Sequence, residues 1–356
     1  MGEKRKYISF SELKEGMIVA SDVEQSGRVI IKEGLKITKP IIERLQRIYY
    51  IGTIEIYEDS DDEEERVTEQ KKLIEFNKME DELNEISVSL KNTFDKICSD
   101  NDEGFLDDIR EFSKRVKAEV NSQSLIIKNV VLHGSGSDVI YRHGVNVSAL
   151  SALLGIWLGM SETQLNRLVY SAILHDCGKI KLDYDLLYKP GKFTADEYKE
   201  IKKHSELGYD MIKKIKYIDK SVCYGILMHH ERMDGSGYPL GIKGDKIHPF
   251  GKIIAIADVF DAINSDRGYE RKKAPFEALR IVQEEGLGKL DYSFVKVFLE
   301  HIVNYYLGEE VILNNGDRCK ILQMNTNVIQ RPLVLKDGEF IDLTKHKELY
   351  IKEMLL

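Results

Sequence analysis

The chain has 356 residues, 42% of them hydrophobic, and a formal net charge of −8. This length allows two or three domains with a sizeable core, and the acidic balance excludes a general DNA- or RNA-binding face. No apolar run approaches the roughly 18 residues needed to cross a bilayer, and the N-terminus lacks the apolar segment of a signal peptide. We therefore expect a cytoplasmic protein with no membrane partner.

The spacing of the cysteines is typical of a protein in a reducing compartment. Cys98, Cys177, Cys223 and Cys319 are scattered without a CxxC or paired spacing, which is typical of reduced thiols and not of a disulfide framework. Cys177 adjoins a His-Asp pair, so its thiol is either a metal ligand or, as we favour, a small packing residue.

Residues 1–58 predict a small mixed α/β domain. Residues 16–20 and 28–31 have strand-like composition around a turn, 39–48 has helical spacing, and 53–57 predicts a closing strand. No motif in this domain carries chemistry. Sensing, dimerisation and a structural role are all open for it.

Residues 59–125 predict an acidic linker followed by helix. The run from Asp59 to Glu65 contains six acidic residues and indicates a solvated segment. From residue 67 to residue 120, apolar residues recur at three- and four-residue spacing, which predicts one or two long helices. Such a segment forms either a helical hairpin or the coil of a homodimer.

Residues 126–307 predict a helical domain with clustered metal-ligand residue types. Adjacent histidines, a His-Asp pair and an aspartate inside an apolar run each lie near the boundary or face of a separate predicted helix. Imidazole and carboxylate groups suit transition metals, and helical bundles aim such groups inward at a metal centre. The candidates are His143, His175, Asp176, His204, His229, His230 and Asp258.

Residues 308–356 predict a β-rich appendage. Asn314-Asn315-Gly316-Asp317 and Lys336-Asp337-Gly338 are turn sequences between β-prone runs, which indicates two hairpins. The expected fold is therefore mostly α, with a helical bundle core, a small α/β N-terminal domain and a short β C-terminal appendage.

The candidate ligands occur in an order that resembles the HD-GYP family, a branch of the HD-domain metal-dependent phosphohydrolases. The resemblance covers roughly residues 130 to 305 and implies that the helical core is an HD-type bundle. Its most specific part is the stretch from His229 to Pro239, which reads HHExxDGxGYP. A bare His-Asp pair is a weak signal, but this stretch together with the other ligands is a strong one.

The resemblance implies hydrolysis of cyclic di-GMP to pGpG, or further to GMP, at two divalent metal ions. The resemblance implies iron or manganese as the usual metal of the family, and zinc or nickel also suits a His/Asp site. Asp176 is expected to bridge the metals, with His143, His175 and Asp258 on one ion and His204 and His229 on the other; the role of His230 is open. The expected substrate contacts are Lys179, Gly235, Gly237, Tyr238, Arg267 and Arg271.

Two departures from the family pattern bear on this expectation. Members with a third metal carry a glutamate four residues before the first histidine, where this chain has Val139, so we predict two metals. The family's Arg-Pro-Tyr followed by a basic residue is here Arg267-Gly268-Tyr269-Glu270. A negative charge at Glu270 opposes the binding of a phosphate group. Arg271 is the candidate that could bind the phosphate instead.

These departures leave alternatives open. One is a catalytically weak or inactive sensor that binds cyclic di-GMP or a partner such as a GGDEF-domain synthase. Another is a hydrolase of a different cyclic dinucleotide, because guanine recognition depends on loop geometry that the residues alone do not specify.

Overall fold

The computed structural model describes most of the chain, and the following account is confined to those residues. They are 5–10, 12–25, 28–31, 33–39, 41–42, 45, 53–57, 62–98, 104–120, 122–135, 138, 140–189, 191–265, 275–325, 328–336 and 339–355.

The chain divides into two compact units, Met1–Ile74 with Val303–Leu356, and Glu75–Ile302. The N- and C-terminal segments thus group together, whereas the sequence led us to expect two separate parts. Edge-to-face packing of Tyr7 against Phe340, with ring centroids 6.3 Å apart, is one contact that joins them. The domain boundaries drawn from the sequence stay predictions.

The N-terminal segment contains two antiparallel strand pairs, in which β1 pairs with β4 and β2 with β3. Apolar side chains of this segment, including Val19, Ile37 and Ile54, form a small core. The predicted strand at 16–20 is wrong, because only isolated bridges from Ile18 and Val19 are present. The predicted helix at 39–48 lies largely outside the described residues. The strands are Arg5–Ser9 (β1), Val23–Gln25 (β2), Arg28–Ile31 (β3) and Thr53–Tyr57 (β4).

The C-terminal segment is an antiparallel sheet of five strands in the order β8-β7-β6-β5-β9. The β5–β6 and β7–β8 pairs confirm the two predicted hairpins. The strands are Glu310–Leu313 (β5), Arg318–Gln323 (β6), Leu333–Lys336 (β7), Glu339–Asp342 (β8) and Ile351–Met354 (β9).

The second unit is helical, so the mostly α fold predicted from the sequence is confirmed. Its helices, of which α1 begins in the first unit, are Asp62–Cys98 (α1), Phe105–Val120 (α2), Gln123–Leu132 (α3), Tyr141–Trp157 (α4), Glu162–Ile173 (α5), Tyr184–Leu187 (α6), Ala195–Lys202 (α7), His204–Ile212 (α8), Lys220–Met228 (α9), Pro249–Asn264 (α10), Pro275–Glu285 (α11) and Tyr292–Ile302 (α12). None of the helices in the described part of the chain is both long and apolar enough to span a bilayer.

Helices α4 and α10 form the centre of the bundle. All residues from 142 to 155 are buried in α4, and most of α10 is buried as well. A helix that is apolar or small-sided on every face is stable only inside a protein. Both helices carry polar side chains into this interior, and such groups require partners.

Candidate metal centre

The seven predicted ligands converge in the second unit, although up to 115 residues separate them in sequence. They form two groups, and within each group the potential ligand atoms all lie within 4.8 Å of one another. One group is His143, His175 and Asp258; the other is Asp176, His204, His229 and His230. The first turn of α4, the turn after α5, the start of α8, the end of α9 and the middle of α10 supply them.

Asp176 belongs to the second group and also contacts the histidines of the first group. Its Oδ2 is 3.3 Å from Nε2 of His175 and 3.7 Å from Nε2 of His143. Its Oδ1 is 3.2 Å from Nε2 of His204 and 3.9 Å from Nε2 of His229. One carboxylate oxygen therefore faces each group, which is the arrangement that a metal-bridging carboxylate needs.

Three of the histidines are oriented by the backbone in the same way. Each ring donates from Nδ1 to the carbonyl oxygen three residues earlier, at 2.7 Å. This contact places the proton on Nδ1 and leaves the Nε2 lone pair directed into the site, as in metal-binding histidines. The three are His175, His204 and His229.

The charges of the second group favour cation binding. Burial lowers the pKa of His204 to about 4, and burial holds the pKa values of His229 and His230 well below the usual range. These rings are therefore neutral ligands near pH 7. Burial opposes ionisation of Asp176, but Lys179 and the surrounding imidazoles hold the pKa of its carboxyl well below the usual value.

Unsatisfied polar atoms show that these residues fit metal ions. Nε2 of His175 and Oδ1 of Asp176 are buried, and neither makes a hydrogen bond of acceptable geometry within the described part of the chain. Buried polar atoms without partners are rare in folded proteins. A divalent cation in each group would supply the missing partner, and the mixed imidazole and carboxylate ligands suit iron, manganese or zinc.

His143 is held by a carboxylate that the sequence analysis did not single out. Its Nδ1 lies 2.7 Å from Oδ2 of Asp261 and its Nε2 lies 3.1 Å from Oδ1 of Asp258. Burial opposes protonation of this ring, but the two carboxylates raise the pKa of His143 to about 9. Asn146 donates to the other oxygen of Asp261 at 2.8 Å, so both oxygens have partners.

Replacing Asp261 by asparagine is expected to weaken metal binding in the first group. Partners that orient metal-ligating histidines typically contribute about 10–100-fold in metal affinity or activity. Titration with Mn²⁺ should show this loss while the helical circular dichroism stays unchanged. Asp196→Asn, at an exposed position on α7, is the matched control. Equal metal affinity in both variants would contradict the role of Asp261.

A close helix crossing brings Asp176 against His204. A Cβ atom at Gly178 would lie 1.9 Å from the carbonyl oxygen of His204 and 2.5 Å from the nitrogen of Gly208. The short 3₁₀ helix Cys177–Lys181 therefore lies directly on α8. Cys177 is a buried thiol outside both ligand groups, and its sulfur packs near Gly208.

The HHExxDGxGYP stretch folds back over the second group. Glu231 accepts hydrogen bonds from the backbone nitrogens of Leu240, Gly241 and Ile242 at 2.6, 3.1 and 3.1 Å, so its carboxylate organises the loop. A Cβ atom at Gly237 would lie 2.4 Å from the carbonyl oxygen of His230. This crowding explains why position 237 requires a glycine. A substrate contact at Gly235 or Gly237 stays a prediction.

Two of the predicted substrate residues adjoin the ligands. Lys179 Nζ lies 2.5 Å from Oδ2 of Asp176. The ring of Tyr238 stacks on His230, with centroids 4.6 Å apart and planes at 28°.

The remaining predictions fall on other parts of the chain. Arg267, Gly268, Glu270, Arg271 and Val139 lie outside the described residues. Asp138, the acid beside Val139, accepts backbone hydrogen bonds from residues 140, 141 and 142 and so begins α4.

Comparison with known proteins agrees with this geometry. The family model described as HD domain matches residues 119–293. The chain is 37% identical over 189 residues to the cyclic di-GMP phosphodiesterase of Thermotoga maritima, covering 50% of each chain. It is 29% identical over 219 residues to a cyclic di-GMP phosphodiesterase of Pseudomonas aeruginosa, covering 62% of this chain and 53% of that protein.

Other relatives have a different named substrate. The 3′3′-cGAMP-specific phosphodiesterase 1 of Vibrio cholerae is 33% identical over 189 residues, covering 53% of this chain and 43% of that protein. The chain spans about half the length of the curated relatives it matches. The solved HDG"Y"P protein Bd1817 from Bdellovibrio bacteriovorus has the same fold, with a TM-score of 0.53 at 20% identity, over 83% of this chain and 98% of that one.

Residues 119–293 therefore form an HD domain. Within this domain, the stretch from His229 to Pro239 has the sequence pattern of the HD-GYP branch.

Proposed function

We propose that this chain is a metal-dependent phosphodiesterase that hydrolyses cyclic di-GMP to linear pGpG. The observation that carries the proposal is Asp176, whose two oxygens face two separate groups of ligand atoms. Two bound divalent cations would neutralise the phosphodiester and lower the pKa of a bound water. Iron or manganese is the metal that we expect.

Lys179 is placed to assist in this reaction. Its ammonium group contacts Oδ2 of Asp176 and is partly exposed. An ammonium group at this position can also reach a phosphate oxygen and hold it by a charge-assisted hydrogen bond. In this proposal Asp176 holds the metals and Lys179 orients the anionic substrate beside them.

Exchanging Lys179 for alanine is expected to lower turnover by about 10–150-fold, since a charge-assisted phosphate contact typically contributes 1.5–3 kcal/mol. Metal content should remain near that of the parent. Lys181→Ala is the matched control because this lysine lies on the same short helix and is exposed. Parent-like kinetics in the Lys179 variant would place the phosphate site elsewhere.

The experiment that tests the proposed function compares cyclic dinucleotides. Purified protein loaded with Mn²⁺ or Fe²⁺ is incubated with cyclic di-GMP or 3′3′-cGAMP, and the products are separated by chromatography. We expect pGpG from cyclic di-GMP and no product after treatment with a chelator. Binding without hydrolysis by metal-loaded protein would identify a sensor and overturn the proposal.

The second candidate substrate is 3′3′-cGAMP. The similarity to the Vibrio cholerae enzyme favours it, and the metal centre does not discriminate between the two substrates because both contain the same phosphodiester linkages. A clear preference for 3′3′-cGAMP in the same assay would replace cyclic di-GMP as the substrate and leave the class of reaction unchanged.

A further inference from the structure

Lys202, the last residue of α7, lies between two aromatic rings. Its Nζ is 5.2 Å from the ring centroid of Tyr198 and 5.7 Å from that of Tyr238. Two other lysines, Lys189 and Lys203, are each paired with a glutamate of α7. Within the described part of the chain, Lys202 has these aromatic contacts and no carboxylate partner.

This cluster adjoins the candidate metal centre. Tyr238 stacks on His230 with ring centroids 4.6 Å apart, and its ring lies edge-on to His204 at 6.3 Å. Lys202 is only two residues before His204 in the chain. The contacts therefore run outward from the candidate ligands: Tyr238 contacts His230 and His204, Lys202 contacts Tyr238, and Tyr198 contacts Lys202. The ring of Tyr198 is 49% exposed.

A cyclic dinucleotide needs more contacts than the metal centre offers. It carries two phosphates and two bases, and a two-metal centre holds the one phosphate that is cleaved. The second phosphate requires a cation, and an exposed purine gains from stacking on an aromatic ring. The contact of a lysine with an aromatic face is weaker than a charge-assisted hydrogen bond to a phosphate, so the half-buried Lys202 can exchange its aromatic contacts for a phosphate.

We propose that Lys202 and Tyr198, with Tyr238, form the second half of the nucleotide site. Lys202 binds the phosphate that is not cleaved, and Tyr198 stacks on a purine base of the substrate. This inference rests on the proposed function, because it assigns residues to the recognition of that substrate class. It also supplies a phosphate contact that does not depend on Arg267 or Arg271.

The test separates nucleotide recognition from the chemistry of the metal centre. Lys202→Gln and Tyr198→Ala should each raise the KM for cyclic di-GMP by about tenfold or more, with kcat nearly unchanged. Hydrolysis of bis(p-nitrophenyl) phosphate, a small phosphodiester with no purine and no second phosphate, should stay at the parent level. Metal content should also be unchanged.

Conservative variants and a matched control complete the design. Lys202→Arg and Tyr198→Phe should retain most of the affinity, because they keep the cation and the aromatic face. Lys199→Gln removes the same charge from an exposed position on α7 and should have no effect. The effect of Lys202→Gln should shrink as salt is raised, because screening weakens the ammonium–phosphate attraction.

The possible outcomes distinguish this inference from the proposed function. A parent protein that cleaves bis(p-nitrophenyl) phosphate but no cyclic dinucleotide would overturn the proposed function. A parent protein that cleaves cyclic di-GMP, with Lys202→Gln and Tyr198→Ala giving the parent KM, would overturn only the present inference. Loss of activity on both substrates in these variants would also overturn it, since the residues would then support the metal centre itself.

Discussion

Replacing Asp176 by alanine is expected to remove more than one metal ion per chain and to abolish turnover. One carboxylate oxygen faces His175 and His143, and the other faces His204 and His229. Removing the carboxylate therefore takes a ligand from both groups and leaves each group less able to hold a divalent cation. Elemental analysis of purified parent and variant proteins measures the loss.

Asp185→Ala serves as the control for this experiment, because it removes an exposed carboxylate nearby in sequence. It should retain the metal content and activity of the parent. If Asp176→Ala loses only one ion, or none, Asp176 does not bridge two metals and the two groups bind independently.

Among the glycines that the structure describes, Gly178 is expected to be the most sensitive to replacement by alanine. The new Cβ would meet the carbonyl oxygen of His204 at 1.9 Å and the nitrogen of Gly208 at 2.5 Å, and backbone atoms cannot move aside as a flexible side chain can. Overpacking of this kind typically costs about 1–3 kcal/mol and occasionally more. The shift of α8 should also separate His204 from Asp176.

A lower thermal midpoint together with reduced metal content would show both effects. Gly288→Ala is the matched control, because a Cβ atom there has no neighbour within 4 Å and the glycine does not have a positive φ. Its stability and metal content should equal those of the parent. If the Gly178→Ala variant had the same stability and metal content as Gly288→Ala, the prediction would be wrong.

The clustering of the seven candidate ligands could be predicted because their residue types and spacing are typical of metal sites. Histidines and aspartates at helix boundaries suggest metal ligands whatever their exact contacts, and the structure brings the seven predicted ligands together in two groups. The role of Asp261 could not be seen in the same way. Its spacing of three residues from Asp258 indicates a shared helix face, but which face of α10 meets His143 depends on tertiary packing.

Other features depend on contacts between distant segments. The need for glycine at Gly178 arises only where the 3₁₀ helix meets α8. Residues 16–20 have strand-like composition, but a strand needs a partner alongside it, and Ile18 and Val19 form only single bridges to Lys36 and Ile56. Lys202 was unremarkable in the sequence because Tyr238, one of the two rings it contacts, lies 36 residues further along the chain.

The measurement that tests the central claim most directly is anomalous X-ray scattering from crystals of the manganese-loaded protein. We expect a binuclear centre that gives two metal peaks, one among His143, His175 and Asp258 and the other among His204, His229 and His230, with Asp176 contacting both. A single peak, a third peak, or peaks away from these residues would contradict it.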